Sequence, residues 1–343
     1  MKSLKRSIGS ALIILSALGL VFTACGGGGG GSTAGDGGGT AEASLNVDNA
    51  PYAGSAAMQS ANLVWSTAVL GEVRPPGIYS EISSNTYSKP PRRSILNILI
   101  PIAKSRPYKS GMHLEGSIPP TTENCTDGGT VTVGGTWSGP DNPTDPSQIT
   151  NFAGNIIFNF CKESTAIMNG SMSMTIEGPL DNFTRLTLSI PIFTYANAAT
   201  SDNIAMTNLY MDITGLRLSG DAFTGATITI GGAISGTVGG DSINVEYDSF
   251  RITFSSDGAG ETVSISGRVR ALCLGGWITI ATASPLFTQA GAICPTAGEV
   301  VVTAGGNSVR MVIASDFRIN IYYNNTLVQS YTNCENVEGL CVG

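Results

Sequence analysis

A chain of 343 residues with a formal charge of −7 and a single histidine is long enough for a substantial core but poor in bases for catalysis. An acidic balance with no dense basic cluster repels phosphate backbones, so no nucleic-acid partner is expected. Glycine, at 44 residues, is well above the usual ~7%, and with abundant Ser and Thr it gives the balance of an exported all-β protein.

The chain opens on Met1-Lys2-Ser3-Leu4-Lys5-Arg6, basic and without an acid, followed by a nearly unbroken apolar run from Ile8 to Phe22. A basic segment before a short apolar stretch is the pattern of a secretory signal, and polyglycine follows too soon for a membrane-spanning helix. The stretch closes on Val21-Phe22-Thr23-Ala24-Cys25 and resembles a lipoprotein signal, in which small residues precede the cysteine that becomes the lipidated N-terminus. The resemblance implies a signal peptide over 1–24 and acylation of Cys25, an anchor that holds stably when more than one chain is attached. Gly26, where an aspartate would favour inner-membrane retention, implies the outer membrane, on either its periplasmic or its surface side. Without its leader the mature chain carries about −10, since three basic residues and no acidic one are lost.

Residues 25–50 read as a Gly-rich linker that acts as a flexible tether. Residues 51–120 read as a helical and Pro-rich segment. Tyr52 to Leu70 is Ala-rich with apolar residues at helical spacing and ends before Gly71 and Pro75-Pro76, which predicts a helix. A second short helix is expected over Arg92–Ile100, and an extended stretch up to Pro119-Pro120.

From residue 121 to 343 the period is two. Met172-Ser173-Met174-Thr175-Ile176, Leu186-Thr187-Leu188-Ser189-Ile190 and Val263-Ser264-Ile265 place aliphatic residues on one face and Ser/Thr on the other. About a dozen strands are expected. Turns are predicted at Asp127-Gly128-Gly129, Asn169-Gly170, Gly239-Gly240-Asp241, Asp257-Gly258 and Asn324-Asn325. The fold class is therefore mainly β, an antiparallel meander forming a strongly curved sheet or barrel with the N-terminal helical segment packed against it. A glycine before each alternating segment at Gly170, Gly225 and Gly267 suggests repeated hairpins of irregular period.

Apart from Cys25 there are six cysteines, Cys125, Cys161, Cys273, Cys294, Cys334 and Cys341. An even number in an exported chain points to disulfides. An antiparallel pairing of neighbouring strands joins Cys125 to Cys161, proximity joins Cys334 to Cys341, and Cys273 is left with Cys294. Metal binding is disfavoured, because there is no CxxC pair and only one histidine.

Cys125-Thr126-Asp127-Gly128-Gly129-Thr130, then Phe158-Asn159-Phe160-Cys161 and Asn169-Gly170, resemble an uncharacterised group of bacterial envelope lipoproteins. In that group a Cys-x-x-Gly-Gly-Thr strand precedes an aromatic–Asn–aromatic–Cys strand and an Asn-Gly hairpin. The similarity extends to Gly276–Ile280 and Gly298–Val312 and covers about half the chain. It implies the β-rich fold and the envelope address, and no activity.

Candidates for chemistry are few. His113 has neither a nucleophile nor an orienting acid in its context. Glu246 and Asp248 share one strand face, as paired carboxylates of a glycosidase would, but acids so placed ordinarily lie on a solvated face. Asp141, Asp145 and their prolines lack the ordered spacing of a calcium loop, and Trp65, Trp137 and Trp277 fit core positions. No catalytic, cofactor or metal residues are assigned. The expectation is a non-enzymatic structural or partner-binding module anchored through Cys25, with an envelope protein as partner. The alternative is a carrier or chaperone holding a lipid or other hydrophobic ligand against the curved sheet.

Overall fold

The computed structural model of the protein describes residues 40–68, 115–139, 148–179, 183–219, 222–238, 241–290, 292, 294–314 and 316–332. Helix α1 (Ala50–Ala68) is followed by β1 (Glu115–Asn124), β2 (Thr130–Ser138), β3 (Asn151–Glu163), β4 (Ala166–Glu177), β5 (Arg185–Asn197), β6 (Asp202–Ser219) and β7 (Ala222–Val238). Then come β8 (Asp241–Asp257), β9 (Gly260–Ala271), a 3-10 turn Leu272–Leu274, β10 (Gly276–Gln289), β11 (Ala297–Ala304), β12 (Asn307–Ile313), β13 (Ile319–Tyr323) and β14 (Thr326–Tyr331). All fourteen strands pair with their sequence neighbours in one sheet, an antiparallel meander that stays open between β1 and β14.

One face of the sheet is apolar over most of its extent from β2 to β14. Val131, Phe152, Phe158, Met168, Leu186, Phe193, Met206, Ile228, Ile252, Val263, Ile280, Val300, Met311 and Ile321 are buried and belong to a single core. The outward positions between them are mostly Thr, Ser, Asn and charged residues. That is the reverse of a lipid-facing barrel, whose outer band is apolar.

A one-faced sheet hides its apolar side by curling, and here the curl is built from β-bulges. Asn159 and Phe160 oppose Asn169 alone, and Ile190 with Pro191 oppose Met172. Asn208 with Leu209 oppose Gly232, and Ser249 with Phe250 oppose Gly267. Each extra residue bends its strand and raises the local twist. Phe160, Asn208 and Ser249 all take positive φ at these points. Gly232 and Gly267 are glycine of necessity: a Cβ there would stand 2.3 Å from the Asn208 carbonyl oxygen and 2.6 Å from the Phe250 Cα.

Helix α1 is made of small residues. Asn46 Oδ1 accepts hydrogen bonds from the Asp48 and Asn49 amides, an Asx turn that sets the chain on a helical course. From Ala53 through Met58 every residue is buried. Six consecutive positions at ~100° apart go fully round a helix, so no side of this segment meets solvent. It packs on β9, β11, β12, β13 and the Leu272–Leu274 turn. Gly54 permits the close approach, because a Cβ there would stand 3.3 Å from Ile321 Cδ1.

The segment before the helix is pinned to the sheet. Trp277 N donates to Ala41 O at 3.0 Å, and Ala43 N to Trp277 O at 2.9 Å. The Glu42 carboxylate accepts from Gly305 N, and Leu45 O accepts from both Asn307 Nδ2 and Tyr323 OH.

The mainly β, antiparallel expectation holds, with a curved open sheet rather than a closed barrel and one described helix. That helix begins two residues earlier than expected. Residues 41–49, expected to be the end of a free linker, are docked on the sheet. β1 starts ahead of the boundary set at residue 121 and carries Pro119-Pro120 on the sheet edge, where a missing amide donor is tolerated and discourages edge-to-edge pairing. Turns form as expected at residues 126–129, 257–260 and 324–325, but Asn169-Gly170 is no hairpin turn. It lies within β4, and the chain reverses instead at Ser164-Thr165. Of the three glycines read as a repeat, Gly170 and Gly267 have positive φ and lie at or beside a bulge, whereas Gly225 has ordinary φ. The expected helix over 92–100 lies outside the described residues.

Substituting Gly267 by alanine is expected to destabilise the fold by about 1–3 kcal/mol or more, from backbone strain alone. Gly258, which has nothing within 4 Å of a built Cβ, should accept alanine with little change. Urea unfolding of the two variants measures the difference.

Candidate functional site

The inner face is aliphatic and aromatic over most of its area. Phe158 and Phe193 meet edge-on with centroids 5.7 Å apart, and Tyr247 lies 5.5 Å from Phe250. Tyr247 donates its hydroxyl to the Ser60 carbonyl of α1 at 3.3 Å, and burial raises its phenol above the ordinary range. At one end of the face the chemistry changes. Glu261 pairs with Ser256 on β8 and with Thr288 on β10, in phase with the buried Phe254, Val263 and Leu286 one rung below. Thr288 is itself buried.

Ser256, Glu261 and Thr288 thus form a polar rung closing one end of an apolar wall. Glu261 Oε2 is buried and has no hydrogen-bond partner among the described residues. Desolvation pushes this carboxyl up to about 7. A lone acid facing an apolar interior holds its proton near neutrality because ionising there forfeits hydration without a compensating cation.

The outer face is held by cross-strand polar pairs. Thr122 bonds Thr132 at 2.7 Å, and Thr175 bonds Thr187. Arg185 grips Asp212 with two nitrogens and reaches Glu177, and Arg310 grips Glu299 in the same way, which holds the Glu299 carboxyl below its usual range. Arg268 pairs with Asp248 and lies 5.0 Å over the Trp277 ring, while Arg270 pairs with Glu246.

Set into this polar surface is an apolar group. Ile157 (44% exposed), Phe160 (62%), Ile192 (59%) and Tyr210 (42%) all stand on the outer side of β3–β6. Ile157 and Ile192 flank Ser171 in one cross-strand row, and Thr207 follows Ile192 in that row. Tyr210 covers Gly231 next to the β6 bulge.

The carboxylates considered as a glycosidase pair, Glu246 and Asp248, are both on this outer face and each is paired with an arginine, in no cleft of their own. Cys125, Cys161 and Glu163 lie close enough together for a metal, but the two sulfurs form a disulfide with Cα atoms 5.4 Å apart, and Glu163 accepts from Thr126 N. Trp137 and Trp277 are buried. His113, the loop 140–146 and the lipidation residue Cys25 lie outside the described residues, as do Cys334 and Cys341.

Cys273 and Cys294 are both disulfide-bonded, but not to each other. They stand beyond opposite ends of β10, whose 14 residues span about 45 Å. The Thr296 amide is held on the Phe287 carbonyl, which keeps Cys294 at its own end. A disulfide needs Cα atoms within about 7 Å, so each cysteine takes a separate partner.

Neither the outer apolar group nor the polar rung was singled out from sequence. Glu261 was legible in hindsight, since it shares the phase of Val263 and Ile265. The run Ile156–Cys161 hid the outer group, because its bulge changes the phase between Phe158 and Cys161.

Comparison with known proteins finds no matching family model, no similar curated protein and no matching solved structure.

Two outcomes follow from this geometry. Non-reducing peptide mapping should recover a Cys125–Cys161 link and none between Cys273 and Cys294. For Glu261, whose pKa rises from 4.5 to about 7 on folding, the folded state retains a proton that the unfolded state releases. Stability therefore falls as pH rises from about 4.5 through about 7. The groups paired across from it, Ser256 and Thr288, do not titrate there. Melting temperatures compared between about pH 5 and pH 8 should fall less in Glu261→Gln than in the wild type, by a few degrees.

Proposed function

We propose that the protein is an outer-membrane envelope lipoprotein, anchored through Cys25, that works as a non-enzymatic partner-binding module. The reading is carried by Ile157, Phe160, Ile192 and Tyr210, large apolar side chains grouped on an otherwise polar outer face. Single exposed apolar residues are ordinary; here four large ones stand on the same outer face of β3, β5 and β6. Aromatic and aliphatic anchors of this kind dominate binding energy when a partner dehydrates them. The lipoprotein-like ending at Cys25 and the even number of remaining cysteines support the address.

A photo-crosslinking amino acid at Ile192 in the full chain, expressed in cells, should trap one discrete envelope protein. The same group at Thr303, on the outer face of β11, should not. Loss of that adduct on adding Ile157→Asp would tie it to the apolar group. An identical pattern at both positions, or no adduct at either, would remove the basis for the reading.

A second reading, a carrier for a hydrophobic ligand, is favoured by the inner face. Helix α1 packs on β9 and β11–β13, so the apolar face of β2–β7 lies beyond its principal contacts.

A further inference from the structure

We infer that Cys294 is bonded to Cys334, a disulfide that ties the chain leaving the edge strand β14 to the loop ahead of β11. Cys294 is oxidised, yet no described cysteine is left to serve it. Cys125 and Cys161 are bonded to each other, and Cys273 stands beyond the far end of β10. Three cysteines, Cys25, Cys334 and Cys341, remain for the two oxidised ones, Cys273 and Cys294. A link between Cys334 and Cys341, which proximity in the sequence suggested, would leave Cys25 alone to serve both. It is therefore excluded.

The strand rows bring Cys294 and Cys334 to one end of the sheet. Gly298 of β11 pairs with Ile313, Ile313 with Ile319, and Ile319 with Tyr331, so β14 ends in the row where β11 begins. Cys294 comes four residues before Gly298, and the Thr296 amide on the Phe287 carbonyl keeps it at that end. Cys334 comes three residues after Tyr331. Three strand spacings, about 14 Å, separate β11 from β14. The four and three residues of connecting chain extend together up to about 23 Å, which closes that gap to the about 5–6 Å a disulfide needs. Cys334 has no such access to Cys273. Leu286 lies against Gly298, and from there to Gly276 at the start of β10 is about 33 Å, against about 10 Å for three residues. A bond from Cys341 to Cys294 would leave Cys334 without any described cysteine to meet.

The two edges of the sheet need different protection. β1 carries Pro119-Pro120, whereas β14, Thr-Leu-Val-Gln-Ser-Tyr, has neither proline nor charge. An edge of that kind invites pairing with foreign strands. A covalent tie at its end, closing residues 294–334 into one ring, holds β14 on β13 instead. Forming it takes a proton and an electron from each thiol; the acceptor is an exchanging disulfide, which leaves as two thiols.

The test maps the full chain, exported and oxidised, with free thiols blocked and no reduction. Chymotrypsin cutting at Trp277 and Phe287, with a glutamate-specific protease cutting at Glu335 and Glu338, puts Cys273, Cys294, Cys334 and Cys341 on separate peptides. Mass spectrometry should find Cys294 joined to Cys334. Cys294 joined to Cys25 or Cys341, a blocked free thiol at Cys294, or Cys334 joined to Cys341 overturns the assignment. Hydrogen exchange checks the edge role. In Cys334→Ser the amides of Thr326–Tyr331 should exchange at least about tenfold faster than in the parent, with β5 unchanged. Unchanged exchange in β14 overturns that role. If Cys334→Ser does not fold, the peptide map of the parent chain decides.

Discussion

Everything in this fold follows from having to hide one face of a very wide sheet. Fourteen strands in sequence order bring no second sheet to cover the first, and those from β2 to β14 contribute aliphatic or aromatic residues to the same side. The sheet hides that side by curling and by taking a helix into the curl. The two solutions are linked, because a tighter curl leaves less room. The helix that enters is accordingly built of Ala, Gly and Ser, and Gly54 lies where Ile321 would leave no space for a larger residue.

Curvature costs hydrogen bonds and strained backbone, and both costs are confined to the bulges. Left-handed residues on one strand face backbone contacts from the next, and glycine stands where a Cβ has no room. The N-terminal segment adds a clasp at the opposite end of the sheet from the polar rung. Its hydrogen bonds to Trp277, Gly305 and Asn307 join the start of the described chain to strands some 240–260 residues later. Such contacts close the longest loop in the molecule, so the clasp forms only after the C-terminal strands exist.

The fold class was legible because alternation of aliphatic and Ser/Thr residues is a local signal, and it survives in nearly every strand. What was not legible is what interrupts the alternation. Asn169-Gly170 has the composition of a hairpin turn, yet the strand continues through it, since the opposite strand supplies an extra residue that only pairing reveals. Cys273 and Cys294 look adjacent in sequence, yet the strand between them separates them more effectively than a flexible loop would. The paired arginines of Glu246 and Asp248 come from the neighbouring strand, so their neutralised character could not be read from their own segment. His113 and the acidic loop at 140–146 drew attention by residue type alone, and residue type carries no geometry.

Strand β10 connects these features. Its first residues receive the N-terminal clasp at Trp277, its middle lies opposite the Val300–Val302 core of β11, and its last residues supply Leu286 and Thr288 to the wall and the rung. Cys273 and Cys294, both oxidised, stand just beyond its two ends. Cross-links stabilise mainly by restricting the unfolded chain, but their position also decides which part of the native sheet opens last. A single bond between the two would have required the strand between them to fold back on itself. An open sheet has no ring of hydrogen bonds to keep its curvature. In its place the bulges set the bend, and oxidised cysteines lie just beyond both ends of β10, the strand shared by clasp and rung.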